Sequence, residues 1–155
     1  MRAGIGYDIH AFEKGRKLVL GGVEIENELG LGGHSDADVL VHSIMDALLG
    51  AAGLDDIGIH FPNDDKKYRN ISSLILLDEV RKNIESAGFE IINIDSVVIL
   101  EAPRIAPYVT IMKKKIAEAL MIEESRINIK ATTSEGMGFC GRNEGAAAQS
   151  IALLQ

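Results

Sequence analysis

The chain has 155 residues, with 16 Lys plus Arg against 23 Asp plus Glu, 46% hydrophobic residues, 5% aromatic residues and no Trp. A chain of this size buries roughly two thirds of its unfolded surface in a single domain, residues 1–155, so it needs no disulfide or metal merely to fold. A net charge of −7 with a pI near 5.1 argues against a nucleic-acid groove, and it obliges any anionic small substrate to be neutralised by metal ions or backbone donors.

Taken in chain order, Ala3–Ile9 alternates around glycines and Lys17–Ile25 is apolar about Gly21-Gly22, so the two are expected to pair as a hairpin. Glu26–Asp36 is a polar, Gly-rich loop, and Ser35 stands where a helix N-cap would, with Asp36 and Asp38 in the first turn. A helix over Asp36–Ala52 follows, and its nearly unbroken apolar content predicts burial on most sides before Gly53 closes it. Leu54–Asn70 reads as a loop of functional length. Ile71–Ala87 is an amphipathic helix ended by Gly88, and Phe89–Leu100 a β-branched strand. A third helix spans Ile105–Leu120 and a further strand Ile127–Thr133; the Gly-rich segment Ser134–Gly145 then leads into Ala146–Leu154. That last element reads as a strand, although its alanines suit a helix equally. The pattern predicts one α/β (α+β) domain whose mixed sheet is covered by helices.

A single cysteine, Cys140, excludes an internal disulfide and points to a reducing compartment. Met1 to His10 lacks a basic patch followed by an apolar core, so no signal peptide is expected. No apolar run approaches the roughly 20 residues of a bilayer span.

Asp8 and His10 lie two apart on a predicted strand and therefore share a face. His42 lies in the buried helix, with Asp38 and Asp46 four residues to either side. Two imidazoles and a carboxylate suit Zn²⁺, and three protein ligands leave the open fourth position of a catalytic site, with Asp38 or Asp46 able to orient the outer nitrogen of His42. The alternative is a surface His10 and a core His42 hydrogen-bonded to Asp46. His34-Ser35 can offer a hydroxyl and backbone donors to a phosphate, or Ser35 is only a cap. Lys130 to Glu135 and the glycines after it can hold a phosphate with its counter-ion, or form an ordinary turn. Cys140 has no neighbouring base and reads as a small packing residue. Arg142 and Glu144 can pair with each other or with symmetry mates.

The strings Gly6-Tyr7-Asp8-Ile9-His10, Leu20-Gly21-Gly22-Val23, His34-Ser35-Asp36-Ala37-Asp38, His42, Asp46 to Ala52, Asp56-Ile57-Gly58, Phe61-Pro62 and Lys130-Ala131-Thr132-Thr133 together resemble the 2-C-methyl-D-erythritol 2,4-cyclodiphosphate synthase family across the whole chain. The resemblance implies a homotrimer about a three-fold axis, with helices on one sheet face and sites between subunits. It implies Zn²⁺ on Asp8, His10 and His42, and Mg²⁺ or Mn²⁺ on Glu135. His34 and Thr133 would stabilise the transition state. Substrate contacts would come from Asp8, Ile9 and His10; from His34 and Ser35; from Asp56, Ile57 and Gly58; and from Phe61, Pro62, Asn63, Asp64 and Asp65. The cytidine part would be held by the neighbouring chain's Leu100, Glu101, Ala102, Pro103, Arg104, Ile105 and Ala106, with Ala131, Thr132, Thr133, Ser134 and Glu135 beside it. Tyr7, Phe139, Arg142 and Glu144 would line an axial cavity able to take an isoprenoid diphosphate. Position 7 is Tyr where the resemblance leads one to expect Phe. The implied reaction is cyclisation of 4-diphosphocytidyl-2-C-methyl-D-erythritol 2-phosphate with loss of CMP, in a bacterial cytoplasm or a plastid-type organelle after removal of a transit peptide. Two rivals are a zinc phosphohydrolase and a non-catalytic binder of isoprenoid diphosphates.

Overall fold

The computed structural model describes all of residues 1–155. The strands are β1 (Arg2–Lys14), β2 (Leu18–Leu20), β3 (Val23–Ile25), β4 (Leu29–Leu31), β5 (Ile91–Ile99), β6 (Ile127–Thr132) and β7 (Gly145–Leu154); the helices are α1 (Val39–Ala52), α2 (Ile57–His60), α3 (Ser73–Ser86), α4 (Val109–Leu120) and α5 (Gly138–Gly141). Five strands form one mixed sheet in the order β4-β1-β7-β5-β6, antiparallel except for the parallel β5–β6 pair, and β2–β3 make a separate ribbon.

The expected hairpin between Ala3–Ile9 and Lys17–Ile25 is not formed. β1 pairs instead with β7 over its first ten residues and with β4 at its end, while Lys17–Ile25 folds on itself, Leu20 against Val23. Gly21 and Gly22 both have positive φ, so the glycine pair closes a two-residue turn there instead of kinking a continuous strand. Ala146–Leu154 lies within a strand, as read, because it fills the centre of the sheet between β1 and β5, where small side chains let α1 sit close.

α1 carries the core. Twelve of its 14 residues are buried, Asp46 and Gly50 being the others, and Gly53 ends it in the left-handed conformation at φ 75. Its cap is Asp38, not Ser35: Asp38 accepts from the Val41 N–H, and the helix starts three residues later than the composition suggests. α1 lies against β1 because Gly4 and Gly6 face it; a Cβ on either would overlap the carbonyl oxygens of Ala47 or Ser43. α3 begins at Ser73, two residues later than expected, and α4 at Val109 after a 3₁₀ turn over Ala106–Tyr108. The predicted loop Leu54–Asn70 contains α2 and a 3₁₀ turn, Lys66–Tyr68, capped by Asp56 and Asp65. The opposite sheet face carries exposed Ile5, Tyr7, Ile9 and Ile151. No helix is long and apolar enough to cross a membrane.

Candidate metal centre and flanking clefts

The alternation of β1 turns Asp8 and His10 to the same face as Gly4 and Gly6, and the close approach of α1 sets His42 against them. His10 Nε2 lies 2.9 Å from Asp8 Oδ2, His42 Nδ1 3.0 Å from the same oxygen, and the two nitrogens are 3.1 Å apart. A tetrahedral zinc ion with bonds of about 2.0–2.1 Å requires ligand atoms about 3.3 Å apart, so this triangle fits the ion with small adjustments.

The outer nitrogens support the same reading. His10 Nδ1 is 2.7 Å from the Gly32 carbonyl, which can only accept, so Nδ1 carries the proton and Nε2 is a bare lone pair. His42 Nε2 is 2.9 Å from Ser73 Oγ and 3.1 Å from Ser35 Oγ. Three lone-pair atoms this close repel one another unless a cation lies among them. In the ion-free protein a proton takes that place: burial opposes the charge on Asp8, yet hydrogen bonds from the inner nitrogens of His10 and His42, when these are protonated, outweigh it and hold the carboxyl at about 2. Burial also disfavours the His10 cation, but the hydrogen bond and charge of Asp8 prevail and raise its pKa above the ordinary imidazole value. Together Asp8, His10 and His42 are a group able to hold a metal ion.

Neither aspartate flanking His42 along the helix serves it. Asp38 is fully buried and accepts from the N–H groups of Gly21, Gly22 and Val41. Asp46 accepts from the Ile57 N–H and so fixes α2 to α1. The groups that do meet His42, Ser35 apart, were invisible to spacing: Ser73 stands 31 residues away, and the serine pair opening α3 signals only a helix start.

A cavity of about 200 Å³ opens on Asp8, His10 and His42 and is walled by His34, Ser35, Ile57, Gly58, Phe61, Asn63 and Tyr68. His34 Nε2 donates to the Asp65 carbonyl at 3.1 Å, tying the 57–70 segment down over it. Asp56 caps α2, and Pro62 and Asp64 are exposed beside the cavity without lining it. Ile9 points to the opposite sheet face. Tyr68, which the sequence does not single out, completes the wall by packing edge-on to Phe61 at 5.4 Å.

A second cleft of about 450 Å³ forms where the parallel strands β5 and β6 end, because Leu100 N–H bonds Thr132 O at 3.1 Å and brings the two exits together. Glu101, Pro103, Arg104, Ala106, Ala131, Thr132 and Thr133 line it, over Leu100 and Ile105 at its buried floor. Ala102 is exposed and lies outside the lining. Thr133 Oγ1 donates to Glu135 Oε1 at 2.6 Å, and Glu101 accepts from the Ser134 N–H at 2.8 Å, anchoring the turn. Within one chain, therefore, His34 and the Asp8–His10–His42 triangle are in one concavity and Thr133 in another. On the free sheet face, Tyr7 and Phe139 share a shallow depression, and Arg142 pairs with Glu144 at 2.8 and 3.0 Å. Burial pushes the Cys140 thiol up, in keeping with an inert packing residue. The largest concavity, about 860 Å³, is at the other end of the sheet from His10. Its Arg81 and Arg126 are already paired with carboxylates and no ligand set converges there, so size does not locate the chemistry.

Comparison with known proteins matches residues 1–155 to the YgbB family. The 2-C-methyl-D-erythritol 2,4-cyclodiphosphate synthase of Chlorobium phaeobacteroides is 55% identical over 155 residues, covering 100% of this chain and 98% of that one. The synthase of Clostridium novyi is 58% identical over 154 residues, with 99% and 98% covered. Among solved structures, the bifunctional IspDF of Campylobacter jejuni superposes with a TM-score of 0.95 at 46% identity; 99% of this chain matches, spanning 42% of that larger chain. A Plasmodium falciparum IspF in complex with CDP gives 0.86 at 36% identity, covering 99% and 94%. With its whole length matched and three metal-competent side chains converging between the first strand and α1, the chain belongs to the YgbB family of 2-C-methyl-D-erythritol 2,4-cyclodiphosphate synthases.

Proposed function

We propose that this chain cyclises 4-diphosphocytidyl-2-C-methyl-D-erythritol 2-phosphate to the 2,4-cyclodiphosphate with release of CMP, acting as a phosphorus–oxygen lyase in isoprenoid precursor synthesis. The observation that carries the reading is the Asp8–His10–His42 triangle, with its lone pairs turned inward, in a chain matched to this family from end to end. Asp8, His10 and His42 would hold Zn²⁺, and Glu135 would hold Mg²⁺ or Mn²⁺; bound there, the two ions supply Lewis-acid neutralisation of the phosphates. They also answer the charge problem of an acidic protein with a polyanionic substrate.

The nucleophile is the substrate's own 2-phosphate, already ionised near neutral pH, so the protein needs no strong base. That phosphate attacks the β-phosphorus, the bond from the β-phosphorus to the bridging oxygen breaks, and CMP leaves with the electron pair. What the chain must supply is positioning and charge neutralisation. Ser35, with Asn63 and the α2 segment about Gly58, would orient the methylerythritol phosphate; the Leu100–Ala106 cleft would take the cytidine. His34 and Thr133 would donate hydrogen bonds to the transferring group.

Because His34 and Thr133 occupy separate concavities of one chain, a complete site needs a second chain. The exposed apolar face of Ile5, Tyr7, Ile9 and Ile151 is suited to cover that need by packing about a three-fold axis as a homotrimer. Tyr7, Phe139 and Arg142 would then face an axial cavity, where an isoprenoid diphosphate could find apolar walls and a cation. Residence in a bacterial cytoplasm or a plastid-type organelle agrees with the lone, buried Cys140. The test is a product assay with purified protein, the diphosphocytidyl substrate, Zn²⁺ and Mg²⁺. CMP together with a cyclic diphosphate is the expected result. A linear phosphate product would indicate a hydrolase, and no CMP from folded, zinc-loaded protein would overturn the reading.

A further inference from the structure

The metal triangle is supported from behind by a chain of hydrogen bonds with a fixed direction. Asp36 accepts the Ser73 N–H on Oδ2 at 2.9 Å and a short hydrogen bond from Ser73 Oγ on Oδ1. A carboxylate only accepts, so the Ser73 hydroxyl proton points at Asp36 and an Oγ lone pair is left facing His42 Nε2 at 2.9 Å. The Nε2 position must then carry the imidazole proton, which leaves Nδ1 bare toward Asp8 and His10. Ser73 is fully buried and does not line the metal cavity, so its hydroxyl has no other task there. Ser35 is the second hydroxyl near Nε2, but it lines the cavity and already accepts from the Ala37 N–H at 3.2 Å, so its own proton is free for a ligand.

Asp36 also joins two helices. Ser72 occupies the N-cap position of α3 without a side-chain cap bond, and the Asp36 carboxylate supplies that capping interaction to the first-turn N–H of Ser73 from the loop before α1. The same carboxylate thus sets the position of α3 and the polarity of the Ser73 hydroxyl.

We propose that Asp36 and Ser73 are positioning residues that hold His42 in the Nε2–H tautomer and so set the zinc affinity of the site. This rests on the metal-dependent reading above. In Asp36→Asn, only one side-chain oxygen remains. The Ser73 N–H, 2.9 Å from Oδ2, is the closer of the two backbone donors, the Asp38 N–H lying 3.3 Å from Oδ1, and claims it, so the new NH₂ donates to Ser73 Oγ and drives the hydroxyl proton toward His42 Nε2, reversing the relay. In Ser73→Ala the relay is cut.

The experiment uses the full chain without substrate: zinc affinity by competition with a chromophoric chelator, and the ¹⁵N spectrum of histidine-labelled, zinc-loaded protein. Wild type is expected to bind zinc and to show a slowly exchanging Nε2–H signal for His42. Both variants should bind zinc about 10- to 100-fold more weakly, as loss of outer partners typically does, and the protected Nε2–H signal should be lost. A merely structural role would lower the melting temperature and leave that signal in place, which would overturn the proposal, as would zinc affinities within twofold of wild type. If Ser73→Ala does not fold, the near-isosteric Asp36→Asn decides alone. Wild type that holds no zinc would overturn the metal reading itself, whereas wild type and variants that hold it equally would overturn only the relay.

Discussion

The His10 imidazole is held from its outer side by the Gly32 carbonyl at 2.7 Å, and this contact leaves its inner nitrogen free to meet Asp8. Replacement of His10 by Ala removes one of three ligands and is expected to abolish stoichiometric zinc, read by metal analysis after dialysis. It should lower turnover by about 10³-fold or more, since the metal's share of transition-state stabilisation is several kcal/mol. Retained turnover in a zinc-free variant would contradict the assignment.

Zinc affinity should fall as the solution is acidified, and earlier than for an ordinary imidazole site. Asp8 raises the His10 pKa above 6.5, so a proton competes for Nε2 at a higher pH than usual. Chelator competition from pH 8 to 5 should show about a tenfold loss per unit once His10 is protonated.

In metal-free protein, the same pair has a signed effect on stability. Asp8 is depressed to about 2, so its contribution is fully present above the ordinary carboxylate value of 3.8 and is lost as pH falls toward 2. The His10 contribution is fully present below 6.5 and is lost as pH rises through the raised value. Urea unfolding of wild type against Asp8→Asn should show the largest difference, about 2 kcal/mol, between these limits.

Gly6→Ala is expected to destabilise the chain by about 3 kcal/mol, because a methyl group there runs into the Ser43 carbonyl and pushes α1 off β1. Zinc affinity should weaken with it, since His42 rides on that helix. Thermal unfolding and metal titration of one sample test both.

Asp38→Ala leaves the buried N–H groups of Gly21 and Val41 and the half-buried N–H of Gly22 without this acceptor. A loss of about 3 kcal/mol in urea unfolding is expected. On the free sheet face, Ile151→Asp should instead leave the subunit folded while breaking the proposed trimer. Light scattering would report monomer, and CMP release would stop because half of each site is missing.

Local pattern determined a good deal by itself. The apolar run from Val39 to Leu49, broken only by His42, Ser43 and Asp46, marks α1 as a buried helix and Gly53 ends it, because periodicity and left-handed capping are properties of neighbours in the chain. The two-residue spacing of Asp8 and His10 puts them on one face wherever that strand lies, and the motif-bearing strings carry the family and the segments around the clefts.

Tertiary structure decided what depends on the path of the chain. β1 could not be assigned to β7 from alternation, since alternation fixes which face a residue takes and not which strand lies beside it. The positions of Asp38 and Asp46 suggested partners for His42, but on the helix their carboxylates reach backbone N–H groups first, and unsatisfied donors at a turn and a helix start are the stronger claim. Ser73 reaches His42, and Asp36 reaches Ser73, only because the first turn of α3 is docked against the loop before α1, a contact between distant segments that no spacing records. The split of His34 and Thr133 between two concavities is likewise set by where the strands end in space.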